Sequence, residues 1–559
     1  MLLGLDTVIW VILVLYFAGM LLLGWWSKKG IADQEGYLLG NRKFGVSMMI
    51  MHAFGAGTNP GDTAGVVSGA VRSGASGIWV SWMWMFGTPF YWLIAPIIRR
   101  MRCLTLADYF EERFGHGAAV LYTLVATVGM TMCLASVLLA TTRTVQGMLG
   151  KTTGDAADAW FYGILLSVTV TFVLYGYWGG IVAAVRTDMV QGLMIIVLSV
   201  LAIPAALQLA EVGGLGGMRT AVDQAGRAAG STHYLSLKNP DVFDLWTVIA
   251  LCLCAPLTAL ALPHLVSVCG AGRTEWEGRM GFVGGNMLKR ICTIGWCILG
   301  LCWLAHLAKT GVTVDRAVAD ASFGDAIRNL LAPALQGLML ACVMAAAMSS
   351  GDAFQITVAG LFSQNIYRVH IRADADEKHL VHVTRVTGVI VVAASVLFAL
   401  AAGGVVKAIM MYFGILALVG LSTAMGMLWR RMNQTGMYGA TGVALVVFFA
   451  VRLVPGIPKA AIFALPIFAG LLGGILGSLL TRPPDPQRIE KFFRKIHTPI
   501  GQEDKLNLPL DEVVPPDRRL LTAGGLFIVK PSTQSWVGFL VTLAICIGCV
   551  VTMVTLLSL

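Results

Sequence analysis

Charge is scarce in this chain. Only 13% of its 559 residues are Asp, Glu, Lys or Arg, about half the share of a soluble domain, whereas 57% are hydrophobic. A water-soluble fold has no means of hiding that much apolar surface. Other absences narrow the field. No G-x-x-x-x-G-K-[ST] phosphate loop is present, which argues against ATP-driven transport without a partner subunit. No zinc-type His/Glu spacing or nucleophile elbow is present either, which sets aside a membrane enzyme. The 11 cysteines offer no metal or disulfide framework. Cys252, Cys254, Cys292, Cys297, Cys302, Cys546 and Cys549 lie inside apolar runs and read as small buried side chains. The formal net charge of +10 gathers on no single face or arm, which argues against a nucleic-acid partner. The first apolar run, Thr7 to Trp26, is too long for a signal peptide, and its basic pair, Lys28-Lys29, follows it.

What the chain has instead is a succession of long apolar runs. They lie near 7–26, 45–69, 76–98, 117–149, 160–178, 188–211, 245–268, 285–308, 330–366, 382–402, 405–429, 436–454, 459–480 and 535–558. Each is long enough to span a bilayer. The expectation is an all-α polytopic membrane protein of about 14 transmembrane helices, with the lipid bilayer as its solvent. The basic clusters Arg42-Lys43, Arg99-Arg100-x-Arg102, Arg430-Arg431 and the stretch from Arg482 to Lys505 all fall on one side of that arrangement. This predicts a plasma-membrane protein with its N-terminus outside and residues 481–534 in the cytoplasm. That Pro-rich segment contains an amphipathic run at Ile489–His497. Residues 212–244 are expected as an outside loop.

The second run is not an ordinary helix. Its centre reads Ala53-Phe54-Gly55-Ala56-Gly57-Thr58-Asn59-Pro60-Gly61-Asp62-Thr63-Ala64-Gly65. Glycines, a proline and polar residues cannot sustain a regular helix at bilayer depth. Backbone groups freed there are tolerated only where they line a cavity or bind something. A helix broken at the midplane points to a transporter binding site, with freed carbonyls for a cation and helix ends for solute charges. The ninth run adds Ala346, Ser349 and Ser350 on one helix face, where a carbonyl and two hydroxyls offer oxygen ligands to a hard monovalent ion. Alone, two serines more often bond back to the preceding turn.

Ionisable residues inside the spans are Asp62, Arg143, Asp188, His264, His306 and Asp352, with Arg186 near a span end, and such residues are functional by default. Asp62 and Arg143 have no local partner, which suits the amine and carboxylate of a zwitterion, or else a structural ion pair. His264 and His306 read as packed or interfacial rather than as proton relays. Trp79, Trp82, Trp84 and Trp92 suit an interfacial belt better than a pocket lining.

Four stretches carry a family resemblance: GNRKFG (Gly40–Gly45), TLADYFEERFG (Thr105–Gly115), YGYWGGIVAAVRTDMVQG (Tyr175–Gly192) and MSSGDAFQITVAGLFSQNIYR (Met348–Arg368). From about residue 10 to residue 450 the chain resembles the sodium:solute symporter family, which includes sodium/glucose, sodium/proline and sodium/sialic acid cotransporters. The resemblance implies a LeuT-type fold of two inverted five-helix repeats, at about 45–211 (with the broken helix at 45–69) and 245–431. Residues 1–44 would form an extra helix and loop, 432–480 two additional helices, and 535–559 a C-terminal helix. It also implies a sodium site at Gly55, Thr58, Ala346, Ser349 and Ser350, with Asp188 at a possible second cation or coupling site. Asn59-Pro60-Gly61 departs from the usual pattern, as does Arg186.

For the solute, Asn59, Asp62 and Arg143 are the candidate binding residues. ATTRTVQGMLG (Ala140–Gly150) looks like the corresponding stretch of the proline-type members. An amino acid or carboxylate solute is therefore expected, taken up by sodium-coupled symport with no enzyme activity and no evident obligatory protein partner. The alternatives are a sugar or polyol symporter, a proton-coupled carrier on the same fold, and a solute-binding sensor or channel.

Overall fold

A computed structural model describes residues 5–27, 39, 42–178 and 181–558. Lys28, Lys29 and the side chains of Arg186 and Asp352 lie outside the described residues. The chain is predominantly helical. Among the described residues, nine helices are long and apolar enough to cross a membrane, and four shorter apolar helices accompany them.

The chain enters through α1 (Thr7–Ser27) and then builds the broken helix from α2 (Val46–Gly57) and α3 (Pro60–Ser73). Run 76–98, expected as one span, instead falls within 3-10 turns at Gly74–Ile78 and Met85–Phe90, a single helical turn at Trp79–Trp82, and α4 (Tyr91–Arg100). Two things account for this. Gly74 has a φ of +69°, which ends α3 in a conformation that glycine adopts cheaply, and Pro89 removes a backbone donor. After α5 (Leu106–Phe114) come the long α6 (His116–Leu149), α7 (Ala157–Trp178), α8 (Ile181–Leu207) and α9 (Gly214–Ala228). The last of these is a helix within the expected loop 212–244.

A second interrupted helix was not foreseen. Run 245–268 divides into α10 (Leu245–Ala261) and α11 (Leu265–Gly270). Leu262 between them is extended, at φ −64° and ψ 117°, because the residue before Pro263 is pushed out of the helical region. Then follow α12 (Glu275–Thr310), α13 (Arg316–Leu330), α14 (Pro333–Phe362, continued as a π-helix over Ser363–Ile371), α15 (Glu377–Ala402), α16 (Val405–Leu428), α17 (Gln434–Leu453) and α18 (Lys459–Leu479).

The four tryptophans are not an interfacial belt. All are buried, and three have indole N–H groups satisfied internally: Trp79 by Leu237 O (2.8 Å), Trp82 by Arg290 O (3.0 Å) and Trp92 by Thr542 Oγ1 (2.7 Å). Buried indoles need such partners. His264 and His306 are packed, as expected, against Phe354 and Trp303 respectively. All 11 cysteines are free.

Residues 481–534 fold against the helices rather than hanging free. Within them, α19 (Pro486–His497) buries Ile489, Phe492, Phe493 and Ile496. A short hairpin pairs β1 (Arg519–Leu521) with β2 (Ile528–Val529), and α20 (Thr533–Ser558) closes the chain. Lys495 pairs with Glu112 of α5 at 2.7 Å, and Arg102 reaches Glu503 at 3.0 Å.

His497 sits between Phe493 and Phe527, and its Nε2 is buried without a partner. Burial, helped by the nearby Arg100 charge, pulls its pKa down to about 3. An unfolded histidine titrates near 6.5, so between those values the undocked segment binds a proton that the docked one refuses. The docked segment therefore loses stability as pH falls from about 6.5 toward 3. His497→Phe is expected to flatten that dependence, read as segment protection by hydrogen exchange across the same pH range. An unchanged slope in the variant removes His497 as the cause.

Candidate functional site

The break between α2 and α3 is built by local chemistry. Thr58 and Asn59 are extended, at φ −115° and −116°. Pro60 takes the first helical position, where its missing N–H costs nothing. The Asn59 side chain accepts from Gly61 N at 2.8 Å, and Asp62 Oδ2 accepts from Asn59 N at 3.1 Å. This reciprocal capping box starts α3. Asn59 and Asp62 are thus first of all helix-capping residues.

On the facing helix α14, the Ser350 hydroxyl lies 3.3 Å from the carbonyl oxygens of both Gly55 and Ala56, at the C-terminal end of α2. Thr58 is 1% exposed, and its Oγ1 has no hydrogen-bond partner. Thr58 and Ala346 line one small cavity with Pro60, Thr63, Ile195 and Phe323. The Ser350 hydroxyl thus faces the carbonyls that end α2, and an orphaned hydroxyl beside freed carbonyls is an oxygen set that suits a hard monovalent cation.

The preceding residue, Ser349, donates its Oγ hydroxyl to Asp188 Oδ1. Asp188 Oδ2 is 2.8 Å from His52 Nδ1, and both side chains are 1% exposed. Asp188 lies so close to α2 that a Cβ on Gly55 would stand 3.1 Å from its carboxyl carbon. Asp188 therefore joins the sodium-type oxygens to α8, with His52 as a partner that the sequence reading missed.

Asp62 and Arg143, the candidate holders of a zwitterion's charges, each have a partner within the protein. Asp62 Oδ2 is 2.7 Å from Lys289 Nζ on α12, with side-chain exposures of 6% and 7%. The same ammonium donates to Gly57 O, the last carbonyl of α2. Lys289 thus spans the break, neutralising the acid that starts α3 and the carbonyl end of α2 together. Arg143 is engaged elsewhere, donating to Gln146 Oε1 at 2.7 Å and stacking over Phe161 at 4.3 Å.

A four-residue row on α12 delivers the lysine. Gly281, Gly285, Lys289 and Thr293 share one face. A Cβ on Gly285 would lie 2.6 Å from Phe54 N, so the glycine lets α12 press against α2, and one turn later Lys289 reaches the break. The signal in the sequence is a Lys-Arg pair following an apolar Gly-rich stretch. Because α12 begins at Glu275, Lys289 lies about 21 Å along it at 1.5 Å per residue, well inside the helix rather than at its start. Among the described residues no His/Cys/Asp/Glu cluster suits a transition metal.

Known proteins share sequence and fold with this chain. The chain is 26% identical over 491 residues to the osmoregulated proline transporter OpuE of Bacillus subtilis (strain 168), covering 84% of this chain and 94% of that one. It is 24% identical over 474 residues to a sodium/proline symporter of Haemophilus influenzae, covering 78% and 86% respectively. A sodium/pantothenate symporter of the same organism is 22% identical over 482 residues, covering 82% and 92%. Among solved structures, the substrate-bound outward-open state of a Na+-coupled sialic acid symporter superposes with a TM-score of 0.69 at 16% identity, covering 86% of this chain and 99% of that one. That match shows a shared fold. The sodium:solute symporter family model matches residues 37–442, and the chain belongs to that family.

Proposed function

We propose that this family member imports an amino acid or another carboxylate-bearing solute together with sodium, by alternating access. The observation that carries the sodium part is the meeting of Ser350 with the Gly55 and Ala56 carbonyls beside the orphaned Thr58 hydroxyl. In this reading sodium is cargo, held by oxygens of Gly55, Thr58, Ala346, Ser349 and Ser350. Asp188 serves a second cation or the coupling step. Ligation at the end of α2 orders the break, and an ordered break raises solute affinity. Linkage requires the solute to raise sodium affinity by the same factor, typically worth about 1–3 kcal/mol. The repeats at 45–211 and 245–431 rock about the site, with the N-terminus outside and 481–534 cytoplasmic. The solutes named for the relatives and the fold neighbour (proline, pantothenate and sialic acid) all carry a carboxylate, which supports the solute class.

The test is the thermal midpoint of purified protein in sodium against potassium or choline at matched ionic strength. Sodium at about one hundred times its dissociation constant is expected to stabilise by roughly 2.7 kcal/mol, and Ser350→Ala is expected to abolish the rise. A midpoint indifferent to sodium but shifted by pH would favour proton coupling through the His52–Asp188 pair.

A further inference from the structure

Three charged side chains are buried in the apolar interior beside the break: Asp62 on α3, and Lys289 and Arg290 on α12. Asp62 and Lys289 cancel as an ion pair. Arg290 does not share in that cancellation. It is 1% exposed, its Nη1 donates to Ser81 O at 3.2 Å and Ser81 Oγ at 3.4 Å, and its Nε has no partner. Among the described residues no carboxylate lies within ion-pair distance of it. Two cations and one anion leave the cluster with one positive charge in excess, inside the protein. A buried charge without a counter-charge is far costlier than a paired one, and a guanidinium is a planar fork of donors that fits a carboxylate two bonds at a time.

The cluster also stands beside the break. Lys289 bonds the carbonyl that ends α2. Gly61, next to Asp62, faces Ser136 of α6 and Ile409 of α16. Thr293, one turn along from Lys289, is 3.2 Å from Ser81. The hydroxyls of Ser136, Ser81 and Thr293 and one surplus cation therefore lie near the break.

We propose that Arg290, with Lys289 beside it, is the anion-reading part of the solute site and takes the carboxylate of the carried solute, the role that sequence reading gave to Arg143. This rests on the reading of the chain as a carrier whose solute binds at the break. The Lys289 pairing also means that Asp62 offers no free carboxylate to a solute ammonium, so the carboxylate is the group the site selects.

The experiment measures thermal midpoints of the full-length protein in saturating sodium with two acid and amide pairs: L-proline against L-prolinamide, and propionate against propionamide. D-galactose serves as the uncharged probe. At least one acid is expected to raise the midpoint while its amide and galactose do not, and the two acids separate a zwitterion from a simple anion. Arg290→Gln is expected to raise the acid concentration needed by roughly 10- to 100-fold while keeping the sodium response, which reports an intact fold. Arg290→Lys is expected to fall between, since it keeps the charge and loses the fork. The proposal is overturned if amides or galactose stabilise as well as the acids, if Arg290→Gln binds the acid as the parent does, or if both acids are silent in a sodium-responsive protein. A parent that ignores sodium overturns the coupling reading alone; the same pairs are then compared in potassium and decide the Arg290 assignment by the same criteria.

Discussion

Lys289→Met is expected to lower the stability of the folded protein by about 3–5 kcal/mol, because it leaves the Asp62 carboxylate buried without its partner. The effect is large because the ammonium answers two groups, the acid that caps α3 and the carbonyl that ends α2. Asp62→Asn is expected to cost a similar amount by stranding the ammonium, although asparagine can keep part of the capping role. The double variant Asp62→Asn/Lys289→Met removes both charges and is expected to recover most of the loss. Thermal midpoints of the four proteins in one detergent form the cycle. Additive losses, with no recovery in the double variant, would rule out the pair as a coupled unit.

Gly420→Val is expected to be as damaging for a different reason. A Cβ at this position on α16 would overlap the Leu257 carbonyl oxygen of α10. Backbone meets backbone there, and no flexible side chain can move aside. Overpacking a tight core costs about 1–3 kcal/mol and sometimes more, and the two helices could make room only by separating along their length. Gly442→Ala on α17 is the control, since the space around Gly442 is open. It is expected to be neutral or slightly stabilising, because alanine is the better helix former. Equal midpoints for Gly420→Val and the parent would show that the α10 and α16 backbones do not pack as described.

The broken helix was legible because its cause is local. Asn59-Pro60-Gly61-Asp62 spells a helix start wherever it falls, and no distant contact is needed to make it one. The placement of Ala346, Ser349 and Ser350 on one helix face was legible for the same reason. The partners of the buried charges were not. Lys289 and Arg290 stand near the start of the apolar run 285–308, where a basic pair is ordinary, whereas the helix begins fourteen residues before Lys289, at Glu275. His52 is a single polar residue in an apolar run, and only the tertiary approach of α8 gives it Asp188. Arg143 was read as a solute ligand because sequence showed no partner, yet Gln146 lies one turn along its own helix. The second break, at Leu262 and Pro263, was marked by its proline but lacked the glycines that make the first conspicuous.

The internal pairing of Asp62 with Lys289 also has an electrical consequence. A full cycle returns the protein to its starting state, so the charge moved per cycle is that of the cargo, and the Asp62–Lys289 pair adds no net charge to the reorientation step itself. One sodium travelling with a zwitterion moves one elementary charge, and a membrane potential of 100 mV then adds about 2.3 kcal/mol to the driving force. One sodium travelling with a simple carboxylate anion moves none, and the voltage adds nothing. At a given sodium stoichiometry, the current recorded during uptake therefore reads the ionic form of the solute.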